Sequence, residues 1–127
     1  MSTPKGYEPG PAAIRVAREN GGKIVEYDDP KNEVEEANEI YTDTWISMGE
    51  EDIKDTKLKD FNGFCLDMPL LKRAAPDAIV LHCLPAHRGE EITDEVIYSM
   101  QSGVWDQAEN RLHAQKAVLV RLMGQNL

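Results

Sequence analysis

Short apolar or β-branched runs alternate with helical patterns along this chain, and the alternation is the strongest constraint on its fold. The runs are KIVEY at residues 23–27, EIYT at residues 39–42 and AIVL at residues 78–81. An acidic segment around residues 32–37, between the first two runs, is expected to be helical. Strand, helix and strand in this order predict a parallel sheet. The fully apolar run AIVL is typical of a strand that is buried on both faces.

Further helical patterns flank these runs. Residues 11–20 have a proline in the first turn and two glycines just after the end, which are helix start and stop signals. Helices are also expected at residues 51–60, 68–75 and 93–99. A last short strand is predicted at Val104 and Trp105, before an amphipathic helix at residues 109–123. That helix is expected to turn five apolar residues toward a core: Leu112, Ala117, Val118, Leu119 and Leu122.

The chain opens with TPKG at residues 3–6, a loop that leads straight into the first helix. Doubly wound domains normally open with a strand in the middle of the sheet. We therefore predict an α/β fold: a Rossmann-like parallel sheet flanked by helices and truncated at its first, central strand. Residues 1–127 are expected to form one partial domain, since this length suits a single domain. The gap predicts self-association, strand exchange or a rearranged sheet, because unpaired ladder groups are costly.

Composition argues against several functions. The chain has 23 acidic and 14 basic residues and a formal net charge of −9, so it would repel a phosphate backbone and no nucleic-acid partner is expected. No apolar stretch suits a signal or a membrane span, so we expect a cytoplasmic protein with no membrane partner. Cys65 and Cys83 are then expected to be free thiols. Neither a metal nor a cofactor is predicted, because metal-ligand spacings and phosphate-binding glycine loops are missing.

Polar residues directly follow the predicted strands, where parallel sheets bind their ligands. Asp43 follows EIYT, Cys83 follows AIVL by one residue, and Arg111 lies shortly after the predicted last strand. Each residue also has a simpler explanation. Asp43 could cap the next helix, Cys83 could be a small core residue, and Arg111 could form a surface salt bridge. Together they would place a carboxylate, a thiol and a guanidinium along one edge of the sheet.

Four motifs, in the same order along the chain, resemble the ornithine carbamoyltransferase family. They are TPKGYEP at residues 3–9, YTDTWISMG at residues 41–49, HCLPAHRGEEI at residues 82–92 and ENRLHAQK at residues 109–116. The third motif is the most specific signature. The resemblance implies the C-terminal, ornithine-binding domain of that family. The family's carbamoyl phosphate domain, with its Ser-Thr-Arg-Thr motif, and the opening strand and helix of the ornithine domain have no counterpart in these residues.

The resemblance also implies how ornithine is held. Asp43 and Cys83 would bind its side-chain amine. An alkyl amine is protonated at neutral pH, so a carboxylate and a thiolate beside it would position it and help its deprotonation. Ser47 and Met48, in a loop that otherwise reads as an ordinary connection, would contact the amino-acid end of ornithine.

The carbamoyl group is assigned to other positions by the same resemblance. Leu84 would bind it through the backbone, next to a cis Leu84–Pro85 peptide bond. Arg111 would contact the carbamoyl oxygen, where a guanidinium stabilises developing negative charge.

The implied reaction joins carbamoyl phosphate and ornithine to give citrulline and phosphate, with no cofactor. For this chain alone, the implication is ornithine binding without transfer, because carbamoyl phosphate would bind only with a missing N-terminal half. One alternative is a non-catalytic amino-acid-binding or self-associating folding module derived from the domain. Another is a transcarbamylase for putrescine or an acylated ornithine, although the sequence SMG at residues 47–49 resembles the ornithine type more.

Overall fold

Two parallel strands form the centre of the fold in the computed structural model, which describes residues 1–47 and 49–124. Strand β1, Glu39–Thr42, pairs with β2, Ile79–His82, so that Thr42 lies opposite His82. A 3-10 turn, Glu51–Ile53, precedes the third helix. The helices are α1 Pro11–Glu19, α2 Pro30–Glu33, α3 Lys54–Asp60, α4 Met68–Leu71, α5 Asp94–Ile97 and α6 Val104–Met123. Parallel strands flanked by helices confirm the predicted α/β fold.

Local sequence signals explain where several helices begin and end. Proline occupies the first turn of α1, and Gly21 follows the helix with a φ of 84°, a backbone conformation that glycine adopts without strain. Asp67 caps α4, since its side chain accepts a hydrogen bond of 2.8 Å from the backbone N–H of Leu70. Helices α2, α4 and α5 are shorter than predicted, because α2 ends at Glu33, α4 at Leu71 and α5 at Ile97.

The predicted strand at residues 23–27 is wrong as a strand, because only one parallel bridge forms there, between Ser2 and Tyr27. The predicted strand at Val104 and Trp105 is also wrong. The segment before α6 pairs with β2 only at Ser102, through a parallel bridge to Val80. The N–H of Gln107 then donates to the carbonyl of Gly103 at 2.9 Å, so Val104 already belongs to α6.

The hydrophobic core lies on one side of β2, against α4, α5 and the start of α6. Val80, Ile92 and Val96 have no exposed surface. The prediction that residues 78–81 are buried on both faces is wrong, because Ile79 is 47% exposed. One face of this short sheet therefore remains open to solvent.

Helix α6 packs on the fold only at its first turns. Val104 is its buried residue, and the predicted core-facing side chains are exposed, Leu119 by 55% and Leu122 by 70%. The prediction of a core-facing stripe along α6 is therefore wrong within the described residues. None of the described helices is both long and apolar enough to cross a membrane.

Candidate functional site

A carboxylate and a thiol meet where the two parallel strands end. Asp43 directly follows β1 and Cys83 directly follows β2, and the register of the strands places them side by side. The thiol of Cys83 donates a hydrogen bond of 2.7 Å to Oδ1 of Asp43, and the backbone N–H of Thr44 donates to the same oxygen at 2.7 Å. Within residues 1–47 and 49–124, Oδ2 of Asp43 accepts no hydrogen bond. That oxygen is available to a cationic ligand.

The surroundings of Cys83 favour its neutral thiol form. Partial burial raises the pKa of Cys83 above its ordinary value of 9.0, and the hydrogen bond and negative charge of Asp43 raise the pKa further. These effects favour the thiol over the thiolate in the unliganded site, and the thiolate expected beside the substrate amine stays a prediction. Cys83 acts as a hydrogen-bond donor that orients the carboxylate. Cys65 is the other free cysteine, as predicted.

The backbone after Cys83 is fixed by a buried histidine. The Leu84–Pro85 peptide bond is cis, as expected, and Leu84 has a φ of 53° in the left-handed region. The N–H of Leu84 donates to Nδ1 of His82 at 2.8 Å, and Nε2 of His82 lies 3.0 Å from Oε1 of Glu91. Because Nδ1 accepts and the partner of Nε2 is a carboxylate, these contacts assign the proton to Nε2. Neither side chain of the His82–Glu91 pair is exposed.

Glu91 also holds the loop that follows Pro85. Its Oε1 accepts a second hydrogen bond, of 2.6 Å, from the backbone N–H of His87, and Nδ1 of His87 lies 3.0 Å from Oγ1 of Thr44. The loops after β1 and β2 are therefore tied to each other. Atoms of His87, Glu90 and Glu91 that could bind a metal lie within 4.8 Å of one another, a cluster that sequence spacing did not indicate. Oε1 of Glu90 is paired with Lys54 at 3.3 Å, whereas Oε2 of Glu90 and Oε2 of Glu91 are buried without a hydrogen-bond partner among the described residues.

The loop that contains Ser47 is anchored from α3. The N–H of Ser47 donates to Glu50 at 2.9 Å, and Nζ of Lys57 donates to Glu50 at 2.5 Å and to the carbonyl of Trp45 at 3.1 Å. The hydrogen bond from Lys57 lowers the pKa of Glu50 below its ordinary value of 4.5. Sequence reasoning missed Lys57, since nothing in a polar helical pattern signals one buried lysine. The predicted residue Met48 lies outside the described residues.

Arg111 lies on α6, and its side chain is exposed. No contact in the described part of the chain joins it to Asp43 or Cys83. Gln107, one turn earlier, accepts a hydrogen bond from the N–H of His82 at 2.9 Å and donates one to the hydroxyl of Tyr41 at 3.1 Å. Residues four apart share a helix face, so Arg111 is on the face that approaches the strand ends. Sequence reasoning did not single out Gln107.

An open cavity of about 800 Å³ borders the Asp43 end of the site. Asp43, Thr44 and Ser47 are among the residues that line it. Aromatic rings form one wall, where the ring centroids of Tyr7 and Phe61 are 4.8 Å apart and those of Trp45 and Phe61 are 5.3 Å apart. The carboxylate thus faces a space that an organic ligand can enter.

These features define a class of protein: an α/β ligand-binding domain whose site lies beyond the carboxyl ends of parallel strands. The family model described as "Aspartate/ornithine carbamoyltransferase, Asp/Orn binding domain" matches residues 1–122. The chain belongs to this family, which confirms the resemblance drawn from its four motifs.

Individual relatives agree with the family. The chain is 76% identical over 125 residues to ornithine carbamoyltransferase from Methanocorpusculum labreanum, covering 98% of this chain and 41% of that protein. The structure of ornithine carbamoyltransferase from Pyrococcus furiosus matches with a TM-score of 0.88 and 51% identity, covering 99% of this chain and 42% of that one. Anabolic ornithine carbamoyltransferase from Campylobacter jejuni matches with a TM-score of 0.85 and 37% identity, covering 99% and 44%. The chain spans about two fifths of the length of the curated relatives it matches.

Proposed function

We propose that residues 1–127 are the ornithine-binding part of an ornithine carbamoyltransferase and form a single, partial ornithine-binding domain. The contact between Oδ1 of Asp43 and Sγ of Cys83, at 2.7 Å, carries this proposal. A carboxylate held in one orientation beside a cavity is suited to an alkylammonium group, the charged end of ornithine. The names of the relatives identify ornithine as the amino acid on which such proteins act.

Ornithine would bind with its side-chain ammonium at Oδ2 of Asp43. Cys83 and the N–H of Thr44 both donate to Oδ1, so they hold the carboxylate and leave the second oxygen for the ligand. Charge-assisted hydrogen bonds of this kind are stronger than neutral ones. Before the amine can attack it must lose a proton, and Asp43 is the acceptor placed to assist. Ser47 and Met48 would contact the amino-acid end.

The carbamoyl group would be held on the β2 side of the site. Leu84 would bind it through its backbone, whose conformation is fixed by the hydrogen bond to the buried His82–Glu91 pair. Arg111 would reach the carbamoyl oxygen from the α6 face that Gln107 anchors. A guanidinium keeps its proton at neutral pH, so it can meet the charge that develops during transfer.

This chain would bind ornithine but catalyse no transfer by itself. Carbamoyl phosphate would require polypeptide that lies outside the matched two fifths of the relatives. Citrulline formation by the purified chain alone would contradict this part of the proposal. Citrulline formation only after mixing with the remainder of a relative would separate an enzyme part from the alternative, a non-catalytic amino-acid-binding or self-associating folding module.

Calorimetric titration tests the ornithine site directly. Ornithine and norvaline differ by the side-chain amine, so a site built on Asp43 should prefer ornithine. The variant Asp43→Asn should weaken ornithine binding by between about ten- and a hundredfold and remove the preference over norvaline. Asp77→Asn, which changes an exposed carboxylate outside the site, is the matched control. Equal ornithine affinity in the two variants would refute the assignment, and stronger binding of putrescine or an acylated ornithine would indicate another amine substrate.

A further inference from the structure

A tight turn in the loop after β2 brings three possible metal ligands together. The N–H of Glu90 donates to the carbonyl of His87 at 3.0 Å, which closes the turn. One metal-binding atom from each of His87, Glu90 and Glu91 therefore lies within 4.8 Å of the other two. Asp43 and Cys83 are not members of this cluster. It is separate from the carboxylate and the thiol of the proposed ornithine site.

Glu91 directs a buried oxygen into the cluster. The Glu91 side chain has no exposed surface, and its Oε1 already accepts from the backbone of His87 and contacts the ring of His82. Its Oε2 has no hydrogen-bond partner among residues 1–47 and 49–124, and it lies 3.8 Å from Nδ1 of His87. A buried carboxylate oxygen without a partner costs free energy. This oxygen is therefore free to bind a cation.

Glu90 offers a second oxygen of the same kind. Its Oε1 is paired with Nζ of Lys54 at 3.3 Å, whereas its Oε2 is buried and has no hydrogen-bond partner within the described part of the chain. Two ionised carboxylates this close repel each other. A cation between Glu90 and Glu91 would reverse this repulsion and would give both Oε2 atoms a partner at once. Lys54 interacts only from the Oε1 side of Glu90.

The donor atoms indicate the kind of cation. One imidazole nitrogen with two carboxylate oxygens and no sulfur suits a divalent transition metal, since Mg²⁺ and Ca²⁺ are bound by oxygen and soft ions by thiolate. Ligands about 2.1 Å from an ion are at most about 4.2 Å apart. Because no pair in the cluster is farther apart than 4.8 Å, closure requires movements of at most about 0.6 Å.

The His87 ring is accessible to an ion. Its side chain is 43% exposed, which provides an entry path and room for water ligands. Nδ1 of His87 lies 3.0 Å from the hydroxyl of Thr44, and the same hydroxyl lies 3.3 Å from the carbonyl of Ile46. The hydroxyl can therefore donate to Ile46 when the ion takes the ring nitrogen.

We propose that His87, Glu90 and Glu91 form a binding site for one divalent transition-metal ion. A ring nitrogen of His87 and Oε2 of each glutamate hold the ion, and water occupies its remaining positions. The ion joins the two ends of the turn and so fixes the loop that follows β2. None of these ligands is assigned to ornithine, so this proposal and the proposed function can fail separately.

Manganese is the probe for this site. Mn²⁺ suits carboxylate ligands, does not select thiolates and is paramagnetic. Calorimetric titration of the 127-residue chain with Mn²⁺ should show one site that is distinct from weak binding to a chain of net charge −9. Pulsed electron paramagnetic resonance should show that the bound Mn²⁺ is coupled to a histidine nitrogen. Bound Mn²⁺ without nitrogen coupling, or no binding, would overturn the proposal.

Substitution of the histidine distinguishes this cluster from other carboxylates. His87→Ala should weaken Mn²⁺ binding by at least about tenfold and remove the nitrogen coupling. His113→Ala, at an exposed histidine beside Glu109 on α6, is the matched control and should change neither. Equal affinities in these two variants would refute the site. If Asp43→Asn weakened binding as much as His87→Ala, the ion would lie at the ornithine carboxylate and the proposal would be wrong.

A second pair of variants tests the carboxylate side and replaces the first pair if His87→Ala does not fold, as judged by circular dichroism. Glu90→Gln keeps the size of the side chain and removes its charge. Glu95→Gln makes the same change at an exposed glutamate outside the cluster. Mn²⁺ should bind to Glu90→Gln at least about tenfold more weakly than to Glu95→Gln. Equal binding would show that Glu90 is not a ligand, contrary to the proposal.

Discussion

Removal of the Glu91 carboxylate should destabilise the fold strongly. In Glu91→Ala, Nε2 of His82 loses its acceptor in a fully buried position, and the backbone N–H of His87 loses its acceptor too. A buried donor left unsatisfied costs about 1–3 kcal/mol, and removing one partner of a buried pair costs about 3–5 kcal/mol. We expect the free energy of unfolding to fall by about 3 kcal/mol, which is a large part of the stability of a small domain.

Urea unfolding followed by circular dichroism measures this change. With a slope of about 1–2 kcal/mol per molar urea, the midpoint should fall by roughly 1.5–3 M. Glu91→Gln is the matched variant, since its amide oxygen can still accept from His82. It should cost less than about half as much as Glu91→Ala. A cost below about 0.5 kcal/mol for Glu91→Ala, the range of ordinary surface substitutions, would show that the pair does not support the loop.

Two further predictions follow from shifted pKa values. Asp43→Asn removes a negative charge that raises the pKa of Cys83. Alkylation of Cys83 at pH 8, measured by peptide mass spectrometry, should therefore become a few times faster. An unchanged alkylation rate would contradict the assigned cause. The lowered pKa of Glu50 means that its ionised form stabilises the fold above its ordinary pKa of 4.5 and that this contribution is lost as the pH falls through the folded pKa. Above that pH, Lys57→Met should therefore lower the free energy of unfolding more than the exposed-site control Lys59→Met does. Urea unfolding at several pH values should show this difference in free energy becoming smaller in acid. A difference that does not change with pH would argue against the ion pair.

The sequence predicted the parts of the site that depend on local pattern. Alternating strands and helices placed β1 and β2 in one parallel sheet, and that arrangement alone brings Asp43 and Cys83 to the same edge. Thr42 is paired with His82 in the parallel register, so the next residues, Asp43 and Cys83, lie opposite each other. Their 2.7 Å contact is a consequence of this register. The cis bond before Pro85 was implied by the motif, not by any physical pattern in the residues.

Other parts depend on contacts that no local pattern specifies. In the sequence, Glu91 is one of several charged residues in a predicted loop. In the structure its carboxylate is buried, where it is hydrogen-bonded to His82 and to the backbone N–H of His87. The protonated state of Cys83 follows from its burial and from Asp43, and neither can be judged before the fold is known. The side-chain amide of Gln107 connects α6 to both strands. Nothing in the sequence distinguishes this glutamine from one that makes no such contact.

Helix α6 shows why amphipathic periodicity can be read correctly and still mislead. The apolar spacing of Leu112, Leu119 and Leu122 indicates a face that gains free energy when covered, but it does not identify what covers it. Within the described residues nothing does, and Leu112 is 53% exposed. A local sequence pattern thus specifies one of the two surfaces that form a contact. The fold is predictable where both contacting surfaces lie among the described residues, as at β1 and β2. It departs from prediction at α6, where the second surface is not among them.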